Sequence, residues 1–163
     1  IMAVRQIRVL GDDLLRKNCK PITAVTPRIQ QLIDDMFETM YEANGVGLAG
    51  PQVGILKQVV VIDVDDGNQY VMINPEILET EGSLTEYEGC LSVPGKTGKV
   101  TRPAHIKVRA FDENMEVFEL EADDLLARAI CHECDHLHGG LYVDLVEGEL
   151  KDVEDVAEEE EEG

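Results

Sequence analysis

The segment ICHECDHLHGG carries His132, Glu133 and His136 in the spacing H-E-x-x-H. Residues four apart on a helix project from one face about one turn apart, so two imidazoles at this spacing can grip a single metal ion. Glu133 falls on the same side, where its carboxylate can manage the protons of an activated water. A hydrolytic site of this kind also needs a third ligand, a donor for the developing negative charge and a groove for the substrate. Cys90 is the best candidate for the third ligand. It lies in EYEGCLSVPG, a strand end followed by Gly and Pro punctuation, which is a place that presents a side chain into a cleft. One thiolate with two imidazoles makes a tetrahedral site with an open position, suited to zinc or Fe(II).

Cys131 and Cys134 compete for the ligand role because they flank the motif as a C-x-x-C pair. A structural zinc site needs a second such pair, and there is none; a c-type haem motif needs histidine directly after the second cysteine, where Asp135 stands. At roughly 100° per residue, both thiols point well away from His132, which favours reading them as small packing residues. His105 and His138 have no supporting pattern. The glycine-rich stretch NGVGLAGPQVG, residues 44–54, lacks the leading strand, the third glycine and the following helix of a dinucleotide loop. Two readings of it stand side by side. It is a helix stop and turn, or it lets a peptide backbone approach closely while Gln52 offers an amide donor to a polarised carbonyl.

These residues need elements to hold them. Thr26 caps a helix with Pro27 at its first position, and Ile29, Leu32, Ile33, Met36, Phe37 and Met40 form its one-sided stripe until Asn44-Gly45 ends it. Gly11 to Lys17 reads as a short helix or turn. Strands are expected over Gln58–Val64, over YVMINPEIL after the turn at residues 65–68, and around Ser83–Glu88, Ile106–Phe111 and Val117–Ala122. Asp123 or Asp124 caps the helix bearing the metal motif, which Gly139-Gly140 stops. GLYVDL reads as a last strand-like segment. Strands outnumber helices and do not alternate with them, so the class is α+β with mainly antiparallel sheet. No internal repeat is visible.

Composition narrows the functions further. A chain of 163 residues with 44% apolar content suggests one domain, here residues 1–150, with one core. The net charge of -20 argues against electrostatic binding to nucleic acid or anionic lipid. No run of 18 apolar residues exists to span a membrane, and the start of the chain lacks the apolar core of a signal peptide. Four irregularly placed cysteines do not make a secreted disulfide framework, so a reducing cytoplasm is expected. Residues 151–163, KDVEDVAEEEEEG, carry eight acids against one lysine and read as a disordered, solvated tail.

Three segments in this order resemble the peptide deformylase family. GVGLAGPQ (Gly45–Gln52) is similar to its first motif, EGCLS (Glu88–Ser92) to its second and HECDH (His132–His136) to its third, and the resemblance runs from about Val4 through GLYVDL. Gly50 stands where the family usually has alanine, which is expected only to loosen the loop, and Cys131 where it often has glutamine; the acidic end replaces the basic C-terminal helix the family often carries. The resemblance implies antiparallel sheets packed around a central helix bearing HECDH. It implies hydrolysis of the formyl group from N-formylmethionine at the start of nascent chains emerging from the ribosome, with release of formate. Cys90, His132 and His136 would hold the metal, physiologically Fe(II), with Zn, Ni or Co able to replace it. Glu133 would shuttle the proton, while the Gln52 side chain and the Leu91 backbone N–H would stabilise the oxyanion. The peptide would lie as an added strand beside Val46-Gly47 and the Glu88-Gly89 edge. The methionine pocket would be built from Val46, Leu125, Ala129 and the His132 region, with Arg128 at its rim.

Two rivals remain at this level. A peptidase cutting internal bonds accounts for H-E-x-x-H but not for EGCLS or the glutamine loop. A non-catalytic peptide binder would have no need of Glu133 and a full ligand set.

Overall fold

The computed structural model describes residues 3–162; Ile1, Met2 and Gly163, the last residue of the expected tail, lie outside the described residues. In chain order the elements are α1 (Pro27–Glu42), β1 (Gly47–Ala49), β2 (Val59–Ile62), β3 (Tyr70–Glu81), β4 (Leu84–Cys90), β5 (Val93–Arg102), β6 (His105–Phe111), β7 (Val117–Asp123), α2 (Asp124–His136), β8 (Glu147–Asp152) and α3 (Val153–Glu162), with short 3-10 turns between some of them. The class is α+β, as the strand-rich pattern implies. Five strands form one antiparallel sheet in the order β1-β2-β3-β6-β7, and three form a second in the order β4-β5-β8.

The interior is built from two helices pressed against opposite faces of the larger sheet. β2 reads VVVI without polar alternation, and all four residues are buried. Val59 and Val61 pack with α1, whereas Val60 and Ile62 pack with α2. A strand covered on both faces has no reason to alternate, which is why this run is continuously apolar. The expected stripe of α1 is buried in full, and Thr26 Oγ1 accepts from the Ile29 N–H at 3.2 Å to cap it. Burying each such Leu, Ile or Met contributes about 1.5–3 kcal/mol, so this helix stripe anchors the sheet that carries β1.

α2 is the central helix. Asp123 stands at its N-cap, but its carboxylate turns away to His105 Nδ1, 2.7 Å distant, and does not cap the helix. The helix stops near the expected glycines for a steric reason. Gly139 has φ +80°, and a Cβ there would lie 2.4 Å from the Arg16 carbonyl oxygen.

Other expectations need correction. β5 and β1 went unanticipated because their glycines and polar residues hide the period of two. GLYVDL is a 3-10 turn over Tyr142–Asp144, not a strand, with Asp144 paired to Arg16 at 2.6 Å. The largest correction concerns residues 151–163, expected as a disordered tail beyond a domain ending at 150. β8 straddles that boundary and pairs with β5, and α3 follows it with Val156 only 7% exposed. A like-charged run cannot fold alone. Here the open edge of β5 supplies hydrogen bonds, while Lys96–Asp152 and Lys151–Glu159 ion pairs offset part of the repulsion. Gly50 is also tighter than expected, since a Cβ there would lie 2.7 Å from the Ile55 carbonyl oxygen. Among the described residues no helix is long and apolar enough to cross a membrane.

Candidate metal centre and substrate groove

Cys90 ends β4, and His132 and His136 share one face of α2, so the site forms where the smaller sheet meets the central helix. The ligand atoms of Cys90, His132 and His136 all lie within 4.8 Å of one another. Cys90 Sγ is 3.4 Å from His136 Nε2, and the two imidazole centroids are 5.0 Å apart. This is a donor set of one soft sulfur and two nitrogens gathered around a point, the set a tetrahedral zinc or iron site requires. Cys131 and Cys134 stand apart from it, buried in the core between α2 and the large sheet. Burial pushes the Cys131 thiol up to about 11 and raises Cys134 further, which keeps both protonated and poor as ligands.

A buried charge network orients the first histidine. His132 Nδ1 lies 2.5 Å from Glu88 Oε1, leaving Nε2 to face the cluster. Glu88 is itself gripped by Arg102, whose Nε and Nη2 donate to its two oxygens at 3.2 and 2.7 Å, and by Arg128 Nη1 at 2.7 Å. Arg102 also donates to Asp135 at 2.6 Å, and Arg128 to the carbonyls of Val100 and Leu84. Burial alone would raise the Glu88 carboxyl, but its hydrogen bonds with His132 and Arg102 hold it down at about 2. Glu88 was expected as a peptide contact. Its carboxylate is committed to His132 and the two arginines, so only its backbone edge remains for a substrate. Arg128 likewise touches the groove, but its guanidinium turns back to Glu88 instead of rimming the pocket.

Glu133 is 4% exposed and lies across from the ligands, with Oε1 4.0 Å from His136 Nε2. Burial is the largest effect on it, pushing its carboxyl up to about 7. Oε1 has no hydrogen-bond partner, a costly state for a buried oxygen unless a reactant supplies a donor. Its other oxygen packs on β1, where a Cβ on Gly47 would come within 2.5 Å of Oε2. The two histidines diverge. Burial opposes the charged form of both, but Glu133, Cys90 and Glu88 raise His132, whereas burial and the neighbouring His132 lower His136.

Gln52 is held by its own carbonyl. Oε1 accepts from the Ala49 N–H at 3.0 Å, which turns Nε2 toward Ser92 Oγ at 3.1 Å and Cys90 Sγ at 3.5 Å. Both readings of the glycine-rich stretch have a counterpart in the fold: the chain turns at Asn44 after α1 and again over Gly50–Val53, and the Gln52 amide lies beside Cys90. Leu91 follows Cys90 in the turn between β4 and β5. A cavity of about 620 Å³ opens over these groups and is lined by Gln52, Cys90, Leu91, His132 and Glu133. It also takes in every residue expected to bind substrate, namely Val46, Gly47, Glu88, Gly89, Leu125 and Ala129. β1 and β4 are edge strands of their respective sheets, so both present unpaired backbone toward an extended ligand. Sequence reasoning missed Arg102, Asp135 and Tyr142, which stacks on His132 at 6.0 Å. Nothing in their spacing marks them; they reach the site only through the fold.

Residues 4–152 match the family model described as Polypeptide deformylase. The chain is 64% identical over 152 residues to a peptide deformylase of Agathobacter rectalis, covering 93% of this chain and 96% of that one. It is 58% identical over 163 residues to a peptide deformylase of Lachnoclostridium phytofermentans, covering 99% and 100%. Among solved structures, a peptide deformylase from Legionella pneumophila superposes with a TM-score of 0.86 at 44% identity, covering 89% of this chain and 87% of that one. One from Synechococcus elongatus in complex with actinonin gives 0.85 at 46% identity, covering 87% and 80%.

Proposed function

Since this chain belongs to the polypeptide deformylase family and is a metal-dependent hydrolase that removes the N-formyl group of nascent peptides, we propose that Cys90, His132 and His136 hold its metal and that Glu133, Gln52 and Leu91 carry the chemistry. The observation that carries this assignment is the convergence of three ligand atoms within 4.8 Å beside a buried, unpartnered Glu133 oxygen. Fe(II) is the physiological metal in this reading, with Zn, Ni or Co able to occupy the same donors. When bound, the metal supplies Lewis-acid activation of water and of the formyl carbonyl at neutral pH.

The residues of the chain do the rest. Glu133 accepts the proton of the attacking water and delivers it to the departing amine, whose poor leaving ability makes an acid necessary. A carboxyl pushed up toward neutrality by burial suits both halves of that task. The Gln52 Nε2–H donates to the oxygen of the formyl group as charge builds there, and the Leu91 N–H is the second donor, each worth about 3 kcal/mol in comparable sites. Glu88 keeps His132 in the tautomer that frees Nε2, and Arg102 and Arg128 keep Glu88 ionised.

The N-formylmethionyl peptide lies between the β1 edge at Val46-Gly47 and the β4 edge at Gly89, with its methionine side chain toward Leu125 and Ala129. Its substrates are chains emerging from the ribosome in the cytoplasm. With a net charge of -20, the protein is expected to meet them without binding nucleic acid itself. Anaerobic metal analysis alongside formate release from formyl-Met-Ala-Ser tests the reading. One metal per chain with formate released, and no cleavage of the unformylated peptide, is the expected result; metal-loaded protein that releases no formate overturns it.

A further inference from the structure

Residues 3–10 form neither helix nor strand, yet their backbone N–H groups are used to tie together other segments. The Ala3 N–H reaches Asp35 Oδ1 and the Arg5 N–H reaches Thr39 Oγ1, each at 2.8 Å and both on α1. Ile7 lines the substrate groove. The Arg8 N–H then donates to the Gln52 carbonyl and the Leu10 N–H to the Ser92 carbonyl, each at 2.7 Å. This N-terminal strap has no role in the reaction as derived so far.

The last two bonds close a ring around Gln52. Gln52 and Ser92 stand 40 residues apart in the chain, but Gln52 Nε2 donates to Ser92 Oγ at 3.1 Å. Their carbonyls are taken by Arg8 and Leu10, two residues apart on the strap. The ring runs from the Arg8 N–H through Gln52 to the Ser92 hydroxyl, and through Ser92 back to the Leu10 N–H. Gln52 and Ser92 are both buried, so neither exchanges these partners freely with water. The Gln52 carbonyl lies in the last turn of the 3-10 segment Gly50–Val53, where a helix runs out of internal partners. Arg8 grips the same turn with its side chain. Gly54 caps the turn at φ +84°, and a Cβ there would lie 3.1 Å from Arg8 Nη2 and 3.3 Å from Nε, so the guanidinium rests on the glycine. Fixing Ser92 also fixes the turn that presents the neighbouring Leu91 N–H.

We propose that Arg8, through its backbone N–H, is a positioning residue for deformylation: together with Leu10 it locks the Gln52 and Ser92 turns at the spacing that aims the Gln52 amide at the formyl oxygen. The proposal rests on the role assigned to Gln52 above. Arg8 itself touches no reacting atom. An oxyanion donor is effective when it already stands where charge will build, so a turn free to shift loses part of that stabilisation. Ground-state binding of the peptide, which makes little use of the donor, changes far less.

The test compares the metal-loaded parent with Arg8→Pro, which deletes the N–H, and Arg8→Ala, which keeps it, each with and without Gln52→Ala. The Arg8 side chain is 47% exposed, so neither substitution opens the core. On formyl-Met-Ala-Ser, Arg8→Pro is expected to lower kcat about tenfold, part of the roughly 100-fold or more that losing a whole donor costs, with KM and metal content near the parent. Arg8→Ala should lose about threefold or less, the share of the guanidinium. In Gln52→Ala, whose donor is already gone, Arg8→Pro should lower kcat no further, whereas a general loosening of the fold would lower it by the same factor again. If Arg8→Pro does not fold or hold metal, the comparison is made with a full chain ligated at Cys19 in which an ester replaces the peptide bond before Arg8, deleting the N–H and keeping the side chain. An unchanged kcat, or an equal loss in both backgrounds, overturns the proposal while leaving deformylation standing. Gln52→Ala protein as fast as the parent removes Gln52 from its role and the proposal with it. A parent that releases no formate overturns the deformylase reading itself.

Discussion

At the residue scale, the site depends on groups whose burial sets their chemistry. Glu133 is enclosed by Gly47 and the histidines, with one oxygen unpartnered. Glu133→Gln keeps the volume and removes the proton shuttle, so metal stoichiometry should be retained while kcat falls by about 100-fold or more. Near-parental turnover with metal bound would remove Glu133 from its role. The cysteines divide by position. Cys90→Ser should lose most metal and activity, because a protonated hydroxyl poorly replaces a thiolate. Cys131→Ser and Cys134→Ser, away from the cluster, should keep metal stoichiometry near one per chain. Alkylation tells the same story by another measurement. Burial pushes the Cys19 and Cys131 thiols up to about 11 and raises Cys134, so brief iodoacetamide treatment of native, metal-stripped protein at pH 8 should modify Cys90 alone. Modification of Cys131 or Cys134 at a similar rate would mean that α2 opens readily.

At the element scale, the N-terminal segment is clamped to α1 through one carboxylate. Asp35 accepts from the Ala3 N–H at 2.8 Å, from Gln31 at 2.7 Å and from Arg5 Nε at 2.9 Å. Burial pulls the Asp35 carboxyl upward, but these donors outweigh it and hold the group below its ordinary 3.8. A carboxyl depressed in the folded state contributes stability that is present above about 3.8 and is lost as pH falls below it. Asp35→Asn should therefore lower the melting temperature at pH 7 by a few degrees, on the order of 1–2 kcal/mol. The gap to the parent should begin to shrink as pH falls below about 3.8 and close only below the depressed value of the folded carboxyl, where the parent group is itself protonated. A gap that stays constant from pH 7 to pH 3 would show that Asp35 acts through packing and not through its charge.

At the scale of the whole molecule, the question is what the acidic end does in a chain of net charge -20. Had it been a solvated tail, its removal would leave stability unchanged. Because Val156 is buried and β8 completes the smaller sheet, a chain ending at Asp152 should instead melt roughly 3–6 °C lower, the consequence of losing ~1–2 kcal/mol of packing. Raising the salt concentration should widen the difference, since screening relieves more repulsion in the full chain, which keeps the seven acids of residues 153–162. An unchanged melting temperature would show that α3 packs too weakly to matter.

What the sequence determined by itself was local chemistry and local period. His132, Glu133 and His136 sit on one helix, so their spacing was enough to place them together, and the stripe of α1 with its Thr26 cap was legible for the same reason. Cys90 and Gln52 were legible as residue types in punctuated segments, but that they converge on the same point is decided by β4 and the turn after β1 meeting α2. The Glu88–Arg102–Arg128 network spans three elements with no common spacing, and the end of the chain folds only because β5 offers an open edge. Interactions within one turn or one strand leave a period in the sequence. Those that need two distant segments to desolvate each other's charges or pair each other's backbones leave none, and only the tertiary structure decides them.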